Sequence, residues 1–130
     1  MSVTAGSYRI GEIAARLGLT ERTIRYYEEV GLLESVKRLE GGTRVYTEDD
    51  VRRLRFIQKL KTLGLSLQEM LELERLYAAQ NSNRNVLPRL VELLDAHLGQ
   101  IDERVGELQA LRDEIRSYRE HVTQLLLEER

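Results

Sequence analysis

From Leu87 onward an apolar residue returns at every seventh position without a miss: Leu87, Leu94, Ile101, Leu108, Ile115 and Val122. Three positions on lie Leu90, His97, Arg104, Leu111, Tyr118 and Leu125, and four on lie Val91, Leu98, Val105, Arg112, Arg119 and Leu126. A seven-residue period keeps one helical stripe facing a partner, so six heptads predict a coiled-coil helix over residues 86–128. Pro88 falls in its first turn, where the missing donor costs nothing. At about 1.5 Å per residue such a helix is roughly 65 Å long. The residues before it are too few to cover that length, and a bare stripe would exceed what soluble monomers expose. A second copy in a two-fold dimer is the economical cover, with Leu87, Leu94, Leu98, Ile101, Val105, Leu108, Ile115 and Val122 as the dimerisation residues. His97 and Arg104 lie within the seam, which asks for a register that lets their polar heads reach the rim.

Composition narrows the chemistry. The 130 residues include no cysteine, so disulfides, thiolate metal sites, iron–sulfur clusters and cysteine nucleophiles are excluded. Two histidines, His97 and His121, are too few for an ordinary His-based metal centre. Neither a nucleophile–base set nor a cofactor loop stands out, so no enzymatic activity, metal or cofactor is expected. No apolar run approaches the roughly 18 residues of a membrane span. Residues 1–7 are small and polar, read as a flexible N-terminus without a secretory signal, and a cytoplasmic location follows as the expectation. The net charge of −2 conceals a division. Residues 1–65 carry 12 Lys/Arg against 9 Asp/Glu, whereas residues 66–130 carry 8 against 13. Most aromatics also lie in the basic half, which hints at an anionic partner there.

That half reads as two short helices and a wing. Ile10, Ile13, Ala14 and Leu17 form one apolar stripe, stopped by Gly18. Thr20 then caps a second helix, ERTIRYYEEV, ending at Gly31. Two helices joined by a three-residue turn containing glycine outline a helix-turn-helix. At 100° per residue, Ile24 faces the first helix, Arg22, Arg25 and Tyr26 point outward, and Thr23 and Tyr27 lie on the flanks. Such a face suits phosphate and base edges; it equally suits a solvated surface laced by the Glu21–Arg25 and Arg25–Glu29 pairs. Val36 and Leu39, then Val45 and Tyr46, flank Glu40-Gly41-Gly42 as a small hairpin with Lys37, Arg38 and Arg44 around its turn. Thr47-Glu48-Asp49-Asp50 opens a third helix with the stripe Val51, Leu54, Ile57, Leu60 and Leu63, ending at Gly64. Ser66-Leu67-Gln68-Glu69 is a capping box for a fourth helix to about Tyr77, and residues 78–85 read as a polar hinge. The domains are therefore a helix-turn-helix head with a wing over 8–77, the hinge, and the terminal helix over 86–128.

The strings YRIGEIAARLGLTERTIRYYEEVGLL and RLEGGTRVYTEDDVRRLRFIQKLKTLGLSLQEM, followed by a long terminal helix, resemble the MerR family of bacterial transcription regulators. The resemblance implies an all-α fold with a small β-hairpin wing: a winged helix-turn-helix head plus a long C-terminal helix forming an antiparallel coiled-coil dimer. It implies double-stranded promoter DNA, RNA polymerase and a second copy as partners, with an inverted-repeat operator that the dimer bends and untwists. Carried over residue by residue, Arg22, Thr23, Arg25, Tyr26 and Tyr27 are the recognition-helix contacts, flanked by Arg16 and Thr20. Lys37, Arg38, Arg44 and Tyr46 are the wing contacts, and the amides at Ser66–Leu67 suit a phosphate.

The chain departs from the family in lacking both the cysteines of metal- and redox-sensing members and the appended ligand-binding domain of drug-sensing ones. Its effector is therefore unidentified, and a pocket is expected near Tyr77 and Ala78–Val86. An architectural or excisionase-like DNA-binding protein, and a coiled-coil adaptor whose head is not used on DNA, are the alternatives.

Overall fold

The computed structural model describes residues 7–34, 37–38 and 44–129, the side chains of 37 and 38 excepted. The chain divides into two compact units, one extending to Arg89 and the other from Leu90 onward.

In the first unit, helix α1 (Ile10–Leu17) buries Ile13 and Ala14 and stops at Gly18, whose φ of 68° is the left-handed conformation that glycine adopts freely. Helix α2 (Glu21–Val30) starts where the Thr20 side chain accepts the Thr23 amide at 3.1 Å. It ends at Gly31, again left-handed. The two apolar stripes meet, leaving Ile13 and Ile24 with no exposed surface. Strands β1 (Ser7–Tyr8), β2 (Lys37–Arg38) and β3 (Arg44–Thr47) form an antiparallel sheet in the order β1-β3-β2. The β2–β3 pairing is the expected hairpin, with Lys37 opposite Val45 and Arg38 opposite Arg44; its tip and Val36 lie outside the described residues. Strand β1 was not expected. Ser7, assigned by its composition to the flexible N-terminus, pairs with Thr47, and Tyr8 pairs with Tyr46. Two residues are too few to show an alternating pattern, so the third strand leaves no periodic trace.

Helix α3 (Glu48–Thr62) is capped at Thr47 by the reciprocal Thr47–Asp50 box and buries Val51, Leu54, Ile57 and Leu60. Leu63 departs from the expected stripe and is 44% exposed. It caps the helix, and the left-handed turn at Gly64 swings the chain so that Leu65 takes the inward place instead. Helix α4 (Leu67–Gln80) opens with the expected box: the Ser66 amide donates to Glu69 Oε1 at 2.8 Å and the Glu69 amide to Ser66 Oγ at 3.1 Å. It runs three residues past Tyr77, because Ala78, Ala79 and Gln80 are good helix formers. Asn81, left-handed at φ 48°, ends it. The connection is therefore residues 81–85 rather than 78–85. Arg89, in the opening turns of helix α5 (Val86–Glu128), donates from Nη2 to Glu72 at 3.1 Å.

Helix α5 is continuous over all six heptads. Leu87, Leu98, Ile101, Val105, Leu108, Ile115 and Val122 are each about half exposed, and Leu94 is intermediate. The stripe has no cover within the second unit.

Leu54 is the fully buried centre of α3. Leu54→Ala is expected to lower stability by about 2–5 kcal/mol, read from urea unfolding, because it leaves a cavity at a fully buried position.

Candidate nucleic-acid interface

The outward face of α2 follows from its caps and its one apolar stripe. With Ile24 and Tyr27 turned inward, Arg22, Arg25 and Tyr26 are exposed, Tyr26 by 46%, and Thr23 is half-buried at the edge. Arg25 pairs with Glu21 one turn back at 3.3 Å, both side chains about half in solvent. Such a surface pair is weak, so the guanidinium can exchange it for a stronger anion. The Thr20 hydroxyl is occupied in capping, lying 2.8 Å from that of Thr23.

Tyr27 and Tyr46 stand differently from the sequence reading. Tyr27 is only 4% exposed and Tyr46 not at all. Both rings pack into the head, because a tyrosine in an otherwise polar run carries enough apolar surface to join the core when a neighbour covers it. Both side chains are thus buried rather than presented at the surface.

The link between helix and wing is Glu28, to which the sequence reading gave no role. The Tyr46 hydroxyl donates to its carboxylate, and Arg44 approaches it at 3.7 Å. An acid in the last turns of a helix faces the negative end of the dipole and needs compensation, which was a signal available in TIRYYE. Arg44 therefore spends part of its charge inside the protein. Arg16 does likewise: it bonds Glu48 at 3.1 Å and stacks over Tyr8 at 5.3 Å, while the Tyr8 hydroxyl also donates to Glu48. These donors hold the Glu48 carboxyl below its ordinary range, Tyr8 first and Arg16 second. Gln58 closes the arrangement by donating to the Leu17 carbonyl at 2.8 Å, satisfying an end of α1 from α3. The side chains of Lys37 and Arg38 lie outside the described ones, but backbone pairing sets Arg38 directly across from Arg44. At Ser66–Leu67, the Ser66 amide is already taken by Glu69.

Among the described residues no cluster of three or more His, Asp or Glu could hold a metal ion, and no helix is long and apolar enough to cross a membrane.

Burial, and then the bond to Glu28, raise the Tyr46 phenol above its ordinary value. The folded state therefore keeps the proton longer than the unfolded chain, whose tyrosine ionises near pH 10. The contribution is whole below that pH and is lost as pH rises through the higher folded value. Tyr46→Phe is expected to cost about 1–2 kcal/mol at pH 7. The gap between wild type and variant in denaturant titrations should narrow above pH 10.

Two family models match the chain: MerR HTH family regulatory protein over residues 8–76, and MerR, DNA binding, over residues 51–118. The transcriptional regulator ZntR of Escherichia coli (strain K12) is 39% identical over 112 residues, covering 82% of this chain and 79% of its own. A crystal structure assigned to the same regulator family, from Listeria monocytogenes, superposes with a TM-score of 0.71 at 25% identity, covering 93% and 92% of the two chains. HiNmlR, a MerR family regulator lacking the sensor domain and solved on promoter DNA, superposes with a TM-score of 0.61 at 27% identity, covering 82% and 79%. These relatives are regulators rather than enzymes. With family models matching residues 8–76 and 51–118 and a winged helix-turn-helix head, this chain belongs to the MerR family of DNA-binding transcriptional regulators.

Proposed function

We propose that the protein acts as a homodimer on an inverted-repeat operator within a promoter, distorting the DNA to control transcription by RNA polymerase. The observation that carries this reading is the pairing of two unsatisfied surfaces in one chain. One is the outward face of α2, with Arg22, Arg25 and Tyr26 free of the core; the other is the six-heptad stripe of α5. The first asks for an anionic groove and the second for another copy. Two heads related by a two-fold axis read two half-sites in opposite orientation, which is what an inverted repeat supplies. An antiparallel pairing of α5 would hold the heads apart at the ends of a rod roughly 65 Å long. Heads set wider than the repeat spacing of straight duplex would engage both half-sites only if the DNA deforms, and phosphate contacts would offset that cost. The relative solved on promoter DNA supports the choice of partner.

Within this reading Arg25 and Arg22 are the base- or phosphate-seeking groups, Tyr26 donates to phosphate, and Thr23 flanks them. Lys37, Arg38 and Arg44 are the wing's proposed contacts. Arg16, Thr20, Tyr27 and Tyr46 serve by placing these groups.

Selection of genomic fragments by the purified protein, followed by footprinting at two salt concentrations, tests it. An inverted repeat lying between two promoter elements is the expected result. Sequence-indifferent binding that fades with salt would replace it with an architectural role. Arg25→Ala should weaken operator binding by about 1–3 kcal/mol, whereas Tyr26→Phe should cost less. In sedimentation, wild type should run at twice 15.1 kDa and Leu108→Asp as a monomer.

A further inference from the structure

The stripe of α5 is not apolar throughout, and its polar members restrict how a second copy can cover it. The row that begins at Leu87 is aliphatic at every position, whereas the row that begins at Leu90 holds His97 and Arg104 on successive heptads. In a parallel pair each row meets itself, so Arg104 would face the partner's Arg104. Two guanidinium groups brought together in a seam suffer repulsion as well as desolvation. In an antiparallel pair the two rows face each other, and each polar member of one meets an aliphatic member of the other. The register that matches all the heptads sets Arg104 opposite the partner's Leu108 and His97 opposite the partner's Ile115. Parallel pairing would bring Glu107 to the partner's Arg112 and Glu114 to the partner's Arg119 along the edges. Exposed rim pairs of that kind are worth little, so the seam decides.

In that register the two-fold axis crosses the rod between Arg104 and Leu108. Arg104 Nη1 lies 3.5 Å from Glu107 Oε2, one turn further on, with both side chains largely in solvent. Glu107 stands beside the stripe rather than in it, so the guanidinium is drawn to the edge. When one helix is reversed, the position beside the second row faces its own copy. Glu107 therefore meets the partner's Glu107 near the axis. Two carboxylates there repel unless cations separate them, and the two Arg104 side chains supply those cations. A guanidinium has donors enough to serve both carboxylates at once.

We propose that Arg104 and Glu107 of both copies gather at the two-fold axis as a neutral layer of four charges, which fixes the direction and register of the rod. The proposal rests on the homodimer reading and deepens it. The partner is a second copy running the other way, and Arg104 is the residue that specifies it.

A chain without cysteine lets single spin labels report the pairing in the full-length protein. Labels are placed on Gly106→Cys, where an added side chain meets nothing within 4 Å, and on Gln124→Cys, and read by pulsed dipolar spectroscopy. Antiparallel pairing gives a short distance at 106 and one above about 50 Å at 124, since each residue from the axis adds about 3 Å. A parallel rod gives similar short distances at both. Charge reversal tests the layer itself. Arg104→Glu alone gathers four carboxylates and Glu107→Arg alone four cations, so each should weaken dimerisation by about tenfold in sedimentation. An equimolar mixture of the two variants should associate to within about threefold of wild type, because each chain then offers the other's opposite charge. A loss of helix stability within one chain would not be recovered by mixing. A mixture no tighter than its components overturns the layer, and a short distance at 124 overturns the direction. In both cases a dimeric wild type that footprints an inverted repeat leaves the promoter reading intact. A monomeric wild type overturns both.

Discussion

The Tyr46 hydroxyl, buried with its ring and donating to Glu28, is the contact on which the geometry of the head depends. A phenol without exposed surface needs an acceptor, and a carboxylate near the C-terminus of α2 needs a donor. Each solves the other's difficulty, with Arg44 alongside to balance the charge. Because Tyr46 lies on the central strand of the sheet, the bond ties α2 to β3, and through β3 to both β1 and β2. On the opposite side the Tyr8–Glu48–Arg16 cluster joins β1, α3 and α1. The apolar core supplies most of the stabilisation, but these polar ties set the angle at which the outward residues of α2 are presented.

The long helix obeys a different constraint. Its apolar residues repeat with a period that only another helix can satisfy, and within its own unit they remain half exposed. If the proposed homodimer forms through this stripe, the stability of this part of the chain is tied to association, and its order in solution is expected to depend on protein concentration. The head has its own buried core and does not share that dependence.

Local signals made much of this fold legible. The stops at Gly18 and Gly31, the caps at Thr20, Thr47 and Ser66, and the heptads of α5 all act within a few residues of where they are written. What escaped depends on contacts between distant residues. Tyr27 and Tyr46 carry both an apolar ring and a polar tip, and only the fold decides which of the two prevails. Tyr27, read on a flank of its helix, and Tyr46, read beside the hairpin cations, both lie buried. Strand β1 exists because β3 is there to pair with it, and Leu63 yields its inward place to Leu65 through a turn no periodicity describes. Glu28 and Arg44 meet across 16 positions, a pairing that neither residue announces alone.

The tie at Glu28 also has a mechanical meaning. It clamps the recognition helix to the wing strand, so the two are not free to open or close against each other. The head then works as a calliper with a set jaw. On the proposed reading, a groove of another width would not be met by flexing within one head, and the adjustment would pass to the duplex or to the five-residue link at 81–85. Stiffness at one largely enclosed carboxylate would thereby determine where compliance resides.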